Sequence, residues 1–543
     1  MRNITLAFVL GLMGVLSLSA QTEPAWDNTT RKNWNDAFQE VEITSSKDGN
    51  IQKAFLYKSK RATPQPLIVS LHTWSGNYTQ SDPLTKEILA RDWNYIHPDF
   101  RGPNRTPSAM GSPLALADIE DAIRYALDQT HANPEEVHIV GVSGGGYATL
   151  AAFMNIDYPV KSFSAWVPIS DIEAWYWESV GRSAKYANDI LSVVAPDTKV
   201  FNRETALLRS PLYQSFPTEK RKDSQLYIYT GIHDGYTGSV PITHSMKMYN
   251  RLVGELKYGI SDINQIMEKS SSDPDLISCS EMLELLSKRI NPDCAKNPKL
   301  FDRNVHLTRS YENIHLTVFE GRHEQISQAL GLVPCAVPES TLKCKILTIG
   351  DSNGAIKGGW TDRLKKMMPQ ATIVNLSQSG RTIGFDNNGK AKLNALKNID
   401  SYLDSALTHH KQYDFIIVCL GTNDTKKVFD DRQSEVPQNL STLLTKIKKH
   451  KLYRRGKTRL VYVTPPPLRQ DNVLEKYEDS GKRLIRLVPQ LKEVAQQQGF
   501  EVVDIHQPLL GIIDYYAEDG VHMKEPGQDI VASLILSHIS QKK

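Results

Sequence analysis

A chain of 543 residues is too long for one ordinary hydrophobic core, so we expect two or three domains. Its 40% apolar and 23% charged residues are typical of a globular protein, and a net charge of +3 provides no concentrated basic surface for nucleic acid. We find no Cys-x-x-Cys pair, zinc-type spacing or His-Glu-x-x-His motif, and therefore predict neither a bound metal nor a cofactor.

The first twenty residues differ from the rest of the chain. A short positive start is followed by an apolar run from Ile4 to Leu18, and small residues end at Ala20. This pattern predicts a secretory signal peptide at residues 1–20, and hence export to the periplasm or the medium. A membrane anchor is the alternative, but the run is short for a spanning helix, so we expect no membrane association after cleavage.

Residues 21–332 alternate apolar strand patterns with helical periodicity. Strands are predicted at Ile51–Tyr57, Leu67–Leu71, Asn94–Pro98, Val137–Gly141, Ser162–Pro168, Gln225–Thr230 and Ile314–Phe319. Helices are predicted at Ala115–Gln129 and Gly144–Met154. This alternation predicts a parallel sheet covered by helices, interrupted by a polar helical insertion at about 255–300.

A second series of the same kind begins at residue 345. Its predicted strands are Lys345–Ile349, Thr372–Leu376, Phe415–Leu420, Leu460–Val463 and Glu501–Ile505. Residues 333–344 contain Pro334 and Pro338 without periodicity and are interpreted as a linker. The chain is therefore predicted to be α/β with two domains, 21–332 and 345–543.

Five cysteines are present. Cys279 and Cys294 lie in the predicted insertion and could close a disulfide if the chain is exported. Cys419 lies in an apolar strand and is predicted to be a buried free thiol.

The pentapeptide Gly141-Val142-Ser143-Gly144-Gly145 follows a predicted strand and precedes a predicted helix of small residues. A serine in this Gly-x-Ser-x-Gly pattern sits on a tight turn that exposes its hydroxyl as a nucleophile. The helix that starts at Gly144 directs backbone N–H groups towards a reacting carbonyl. Ser143 is therefore the predicted nucleophile of a first site.

A serine nucleophile needs a histidine base and an orienting acid, in the chain order Ser, Asp, His in this kind of fold. Asp234 and His323 each follow a predicted strand, where catalytic groups of open α/β sheets collect. Asp171 is an alternative acid, whereas His244 and His315 lack a loop at a strand end.

With these pieces, residues 60–330 resemble the α/β-hydrolase fold, and within it the prolyl-oligopeptidase-type hydrolases and related polysaccharide esterases. The matching segments are Pro98–Gly102, the turn at Ser143, Asp234 to Pro241 and Gly321–Glu324. No propeller-like repeat precedes this region, which makes a peptidase the less favoured expectation.

The oxyanion segment departs from the family pattern. Where relatives have His-Gly-Gly, this chain has His72-Thr73-Trp74-Ser75-Gly76. The resemblance implies Gly144 N–H as one oxyanion donor and Trp74 N–H as the second.

Several tryptophans lie on or near loops that follow strands. Trp166, Trp175 and Trp177 are predicted to bind sugar rings or an aromatic acyl group, with a place in the core as the open alternative.

Four short blocks mark the second half. They are Gly350-Asp351-Ser352-Asn353, Asn375–Gly380, Gly421-Thr422-Asn423-Asp424 and Asp519-Gly520-Val521-His522. In order and separation they resemble the SGNH (GDSL-type) hydrolases, over residues 345–540. The resemblance implies a flavodoxin-like three-layer α/β/α domain.

The same resemblance assigns the residues of a second site. Ser352 is the expected nucleophile, His522 its base and Asp519 the acid that orients it. The backbone N–H groups of Ser352 and Gly380 and the side-chain amide of Asn423 are the expected oxyanion donors.

Together these resemblances imply an exported bifunctional carbohydrate esterase with a polysaccharide or oligosaccharide as partner. The C-terminal domain would remove acetyl groups, and the N-terminal domain acetyl, feruloyl or methyl esters, from a plant-type polymer such as xylan. The alternatives are a serine peptidase fused to an acetylesterase, or one domain that only binds substrate. The sequence predicts no oligomeric state.

Overall fold

The computed structural model describes residues 29–336 and 339–541. The predicted signal peptide lies outside the described residues, as do residues 337 and 338 of the predicted linker. Within the described part of the chain, no helix combines the length and apolar character needed to cross a membrane.

The first domain is built on a nine-stranded sheet. In chain order its strands are β1 Gln39–Thr44, β2 Ile51–Tyr57, β3 Gln65–Leu71, β4 Asn94–Pro98, β5 Ala132–Val142, β6 Ser162–Trp166, β7 Gln225–Gly231, β8 Val305–Tyr311 and β9 Ile314–Phe319. They lie side by side in the order β1-β2-β4-β3-β5-β6-β7-β9-β8.

The prediction of a parallel sheet holds for the centre of this sheet only. The six neighbours from β4 to β9 pair in parallel, whereas the pairs β1–β2, β2–β4 and β8–β9 are antiparallel. Strands β1 and β8 were not predicted. Both are edge strands with many exposed or half-buried side chains, so neither has the continuous apolar run that identified the central strands.

Ten α-helices accompany this sheet in the described residues. They are α1 Leu84–Arg91, α2 Pro113–Gln129, α3 Gly144–Asn155, α4 Ile172–Gly181, α5 Tyr186–Val194, α6 Arg203–Leu208, α7 Thr218–Arg221, α8 Thr243–Tyr258, α9 Ile263–Lys269 and α10 Cys279–Lys288. Successive residues of β3 alternate between two apolar clusters, Leu67 and Val69 in one and Ile68 in the other. Both faces of the sheet are therefore covered, as a parallel sheet requires.

The predicted insertion at 255–300 contains helices and no strand, as expected. Its apolar residues are nevertheless part of the first domain's core, because Ile266, Met282 and Leu285 pack in the same cluster as the central strands. Cys279 is exposed, Cys294 is buried, and the two are not bonded to each other. Cys419 is a buried free thiol, as predicted.

The second domain has a separate five-stranded sheet. Its strands are β10 Lys345–Gly350, β11 Thr372–Asn375, β12 Phe415–Cys419, β13 Arg459–Val463 and β14 Glu501–Val503. Every pairing is parallel, and the order β11-β10-β12-β13-β14 is the flavodoxin-like order.

Helices cover both faces of this second sheet. They are α11 Ser352–Ala355, α12 Trp360–Met367, α13 Ala395–His409, α14 Glu435–Lys449, α15 Ser480–Gln497, α16 His506–Leu509, α17 Ile513–Tyr516 and α18 Glu525–Ile539. Ile346 and Ile417 belong to one apolar cluster, and Leu347 and Ile416 to another, so two cores flank the sheet. The predicted three-layer α/β/α domain is confirmed.

The two domains are in direct contact. The buried Arg91 of α1 pairs with Glu87 at 2.5 Å and lies 3.4 Å from the hydroxyl of Tyr516 in α17. Gln328 donates a hydrogen bond to the carbonyl of Tyr515, at 3.0 Å.

Candidate active sites in the two domains

Ser143 lies at the end of β5, on the turn into α3. Its backbone has φ 58° and ψ −117°, a strained conformation for a residue with a side chain. Glycines allow the turn to form: a Cβ on Gly141 would lie 2.2 Å from the Gly145 carbonyl oxygen, and one on Gly145 would lie 2.1 Å from that of Leu71. The sheet edge thus presents the Ser143 hydroxyl outward, as the motif predicts.

The loops after β7 and β9 bring Asp234 and His323 to this serine. His323 Nε2 lies 2.8 Å from Ser143 Oγ, and His323 Nδ1 lies 2.7 Å from Asp234 Oδ2. Asp234 is fully buried, and its other oxygen accepts hydrogen bonds from the N–H groups of Gly235 and Val240. This arrangement holds a proton on Nδ1 and leaves Nε2 to accept the serine proton. We call these three residues the N-terminal triad.

The alternative residues have other roles. Asp171 caps α4 by accepting a hydrogen bond from Ala174 N–H, and it also accepts one from the Tyr213 hydroxyl. His244 is buried against Glu178. Neither contacts the N-terminal triad.

A glycine that the sequence did not single out allows the acid and the base to approach. A Cβ on Gly238 would lie 2.3 Å from Asp234 Oδ1 and 2.6 Å from His323 Cβ. No motif includes this position, so only the folded loop identifies it.

The expected oxyanion donors are neighbours. The backbones of Gly144 and Trp74 are so close that a Cβ on Gly144 would lie 2.2 Å from the Trp74 nitrogen. Gln80, another residue that the sequence did not indicate, supports this loop: its Oε1 accepts a hydrogen bond from Thr73 N–H at 2.8 Å, and its Nε2 donates to Thr73 Oγ1. Two N–H groups that meet beside the serine can stabilise the negative oxygen of a tetrahedral intermediate.

The predicted tryptophan platform requires correction. Trp166 is fully buried in the core, where it stacks on Tyr229 with ring centroids 4.1 Å apart. Trp175 is also buried, against Trp74, so neither ring offers a face to a sugar. Trp177, with 56% of its surface exposed, is available to a ligand.

A second triad lies at the corresponding edge of the second sheet. Ser352 begins α11 directly after β10, and His522 Nε2 lies 2.8 Å from its Oγ. His522 Nδ1 lies 2.6 Å from Asp519 Oδ2, and the other oxygen of Asp519 accepts the N–H groups of Val521 and His522. We call these residues the C-terminal triad.

The C-terminal triad is more open to solvent than the N-terminal triad. The side chains of His522 and Asp519 are 37% and 40% exposed, whereas those of His323 and Asp234 are 19% and 0% exposed. The hydrogen bond that His522 donates to the Asp519 carboxylate raises the pKa of His522 above its ordinary value, although partial burial opposes the change. Partial burial also opposes ionisation of Asp519, yet hydrogen bonds from the side chain and backbone of His522 hold its pKa below the ordinary value.

The second set of oxyanion donors is held by a residue outside the four sequence blocks. Tyr477, buried in a short 3₁₀ turn, donates a hydrogen bond to Asn423 Oδ1 at 2.8 Å. Asn423 Nδ2 donates to the carbonyl of Arg381, directly after Gly380. Gly380 has φ +81°, which favours glycine. These contacts fix the Asn423 amide beside the Gly380 turn, as the predicted oxyanion hole requires.

Comparison with known proteins finds a hydrolase family for part of each domain. The model of the prolyl oligopeptidase family matches residues 114–271, and that of the GDSL-like lipase/acylhydrolase family matches residues 347–530. The predicted fusion of a prolyl-oligopeptidase-type α/β-hydrolase domain and a GDSL-type domain is thereby confirmed. Ser143 lies within the first of these matches and Ser352 within the second.

One curated relative is an acetylxylan esterase from Xylanibacter ruminicola. It is 26% identical over 141 residues, which cover 23% of this chain and 28% of that protein. The match therefore spans much less than the full length of either protein.

Two solved structures each resemble a part of the chain. Est24, a carbohydrate acetylesterase from Sinorhizobium meliloti, is 21% identical with a TM-score of 0.31, covering 36% of this chain and 99% of its own. Pyrococcus horikoshii acylaminoacyl peptidase is 20% identical with a TM-score of 0.32, covering 39% of this chain and 34% of its own.

Proposed function

We propose that this chain is an exported bifunctional carbohydrate esterase whose two triads remove different ester groups from one polysaccharide. The observation that carries the proposal is the presence of two complete triads. In each, a serine Oγ lies 2.8 Å from a histidine Nε2 whose Nδ1 meets an aspartate. A domain that only binds sugar has no use for this arrangement, which argues against the binding-module alternative.

The same two-step reaction follows at each triad. The serine oxygen attacks the ester carbonyl as the histidine takes its proton, and the oxyanion donors stabilise the tetrahedral intermediate. The histidine then gives that proton to the departing ester oxygen as its bond to the carbonyl carbon breaks, so that the alcohol leaves and an acyl-enzyme remains. Water, deprotonated by the same histidine, releases the free acid and restores the serine.

The C-terminal triad is assigned to acetyl groups. Its exposed base and acid suit a polymer that must approach along the surface. The similarity of part of the chain to an acetylxylan esterase supports an acetylated polysaccharide such as xylan as the substrate of the protein. The N-terminal triad is assigned to an acetyl, feruloyl or methyl ester, with Trp177 as an exposed aromatic side chain of the same domain. Two triads on one chain raise the effective concentration of each at a decorated polymer.

Export is part of the proposal, because such polymers lie outside the cell. The apolar run before Ala20 supports it. Sequencing the N-terminus of the chain recovered from the periplasm or medium should give Gln21 as the first residue. An intact Met1 on a chain that stays in the cytoplasm would contradict export.

A peptidase at the N-terminal triad is the second candidate. The match of residues 114–271 to the prolyl oligopeptidase family favours it. Cleavage of small-residue or proline peptides that is lost in Ser143→Ala, without any ester release by the same triad, would support this candidate over the first.

The deciding experiment measures acid release from acetylated and feruloylated xylan. The wild-type chain is compared with Ser143→Ala, Ser352→Ala and the double variant, with Ser287→Ala on the exposed face of α10 as control. We expect each single variant to lose a different product and the double variant to lose both. If one single variant abolishes all ester release, the bifunctional proposal is wrong.

A further inference from the structure

Three potential metal ligands converge beside the middle of β5, away from Ser143. Cys335 Sγ lies 3.5 Å from His138 Nε2, and Glu136 Oε2 lies 3.3 Å from the same nitrogen. All three atoms lie within 4.8 Å of one another. Cys335 comes from the start of the predicted linker, 197 positions after His138, so no local motif reveals the cluster.

We propose that Glu136, His138 and Cys335 bind a zinc ion that fastens the start of the linker to the first sheet. Zinc binds imidazole, thiolate and carboxylate ligands at about 2.0–2.3 Å in a tetrahedron. Two tetrahedral ligands at these bond lengths are about 3.5 Å apart for sulfur and nitrogen and about 3.4 Å apart for nitrogen and oxygen. The observed separations of 3.5 and 3.3 Å already have these values.

The surroundings orient the ligands. His138 is fully buried, and its Nδ1 lies 2.8 Å from the hydroxyl of Ser162 on the neighbouring strand. A proton on Nδ1 can be donated to that hydroxyl, which leaves the lone pair of Nε2 directed at the other two ligands. The N–H of Ala336 donates to Glu136 Oε2 and so holds the carboxylate in place.

The tautomer of His138 decides how these atoms are satisfied. With Nε2 protonated, it donates to Glu136 and Nδ1 accepts from the Ser162 hydroxyl; with Nδ1 protonated, Nε2 is free to bind a cation. In this second tautomer Nε2 faces a carboxylate oxygen and a sulfur, and only the thiol can donate to it. A zinc ion satisfies all three lone pairs. Its two charges are balanced by the carboxylate and the thiolate, once the thiol proton has left to solvent, so that the buried site is neutral.

A neighbouring cavity provides the fourth position. Cys335 and Ala336 line a cavity of about 110 Å³ between the domains, together with Gln65 and Arg91. Gln65 is buried, and its Oε1 has no hydrogen-bond partner among the described residues. A water bound to the metal could donate to this oxygen. Arg91 does not compete for the site as a free cation, because it pairs with Glu87.

The position implies a structural role. His138 precedes Ser143 by five residues of extended strand, which places the cluster about 16 Å from the N-terminal triad at 3.3 Å per residue. A metal there lies too far from Ser143 to contact an ester carbonyl at that serine. It would stabilise the fold at the point where the chain leaves the first domain.

The test uses the intact two-domain chain, stripped with chelator and titrated with Co²⁺ and Zn²⁺. We expect about one ion per chain, a thiolate-to-cobalt charge-transfer band that Zn²⁺ abolishes, and a higher Tm with metal. The band should disappear in Cys335→Ser and His138→Gln and persist in Cys344→Ser, which removes a buried thiol at the other end of the predicted linker.

Activity distinguishes this proposal from the proposed function. Ester hydrolysis at a temperature where the stripped chain remains folded should be unchanged by Zn²⁺. Failure of the wild-type chain to bind Co²⁺ near stoichiometrically, or a thiolate band that survives in Cys335→Ser, would overturn the zinc site and leave the esterase proposal intact.

Discussion

The two triads should respond differently to the loss of their acid. In the N-terminal triad an asparagine in place of Asp234 would keep its oxygen on the N–H groups of Gly235 and Val240. Its NH₂ group would then face His323 Nδ1 and favour the wrong tautomer. Because Asp234 is fully buried, no water can replace it as the acceptor. We expect Asp234→Asn to lower kcat about 10⁴-fold.

Asp519 differs in its exposure. Its side chain is 40% accessible, so an asparagine at this position can turn away and water can accept the proton of His522 Nδ1. We therefore expect Asp519→Asn to lower kcat only about 10²-fold. The two losses correspond to about 5.4 and 2.7 kcal/mol of transition-state stabilisation.

Each substitution is measured with the other triad inactivated. Hydrolysis of 4-nitrophenyl acetate reports Asp234→Asn in a Ser352→Ala chain and Asp519→Asn in a Ser143→Ala chain. Thermal unfolding checks that the variants are folded. Equal losses at both triads, or a greater loss at Asp519, would refute the argument from burial.

Three further outcomes are expected. With only the C-terminal triad active, the rate should fall on acidification with a midpoint above pH 6.5. The raised pKa of His522 is the reason, because a protonated His522 cannot accept the serine proton and a raised pKa keeps it protonated up to a higher pH. Gly238→Ala should lower the activity of the N-terminal triad about 10²-fold or more and leave the C-terminal triad unaffected, since its Cβ would lie 2.3 Å from Asp234 Oδ1. Tyr477→Phe should lower kcat of the C-terminal triad about 10-fold with little change in KM, as Asn423 loses a hydrogen bond.

Each of these three expectations has a result that would contradict it. A rate that stays constant between about pH 5 and 8 would contradict a histidine base in the C-terminal triad. Full N-terminal activity in Gly238→Ala would mean that the loop can relax around the added methyl group. A Tyr477→Phe effect on KM alone would indicate a role in substrate binding.

The sequence predicted the central strands and both triads for one physical reason. Parallel strands buried on both faces need continuous apolar runs, and their carboxyl ends meet at one edge of the sheet. Polar residues that directly follow such runs, as Ser143, Asp234 and His323 do, are therefore brought together by the fold. The glycines next to Ser143 added a second local signal, because the turn has no room for a Cβ.

Other features were decided only by the tertiary structure. Edge strands β1 and β8 carry too few buried side chains to differ from loops in sequence. Trp166 and Trp175 lie on or near segments that follow strands in the sequence, but their neighbours in space bury them.

Contacts between segments that are distant along the chain were not predicted from the sequence either. Tyr477 orients Asn423 across 54 positions, and Cys335 reaches His138 across 197. The sequence by itself thus determined which residues end the central strands, because burial and backbone geometry act locally. Which distant side chains meet was decided by the packing of the folded chain, because it depends on strand register and loop paths that no local pattern records.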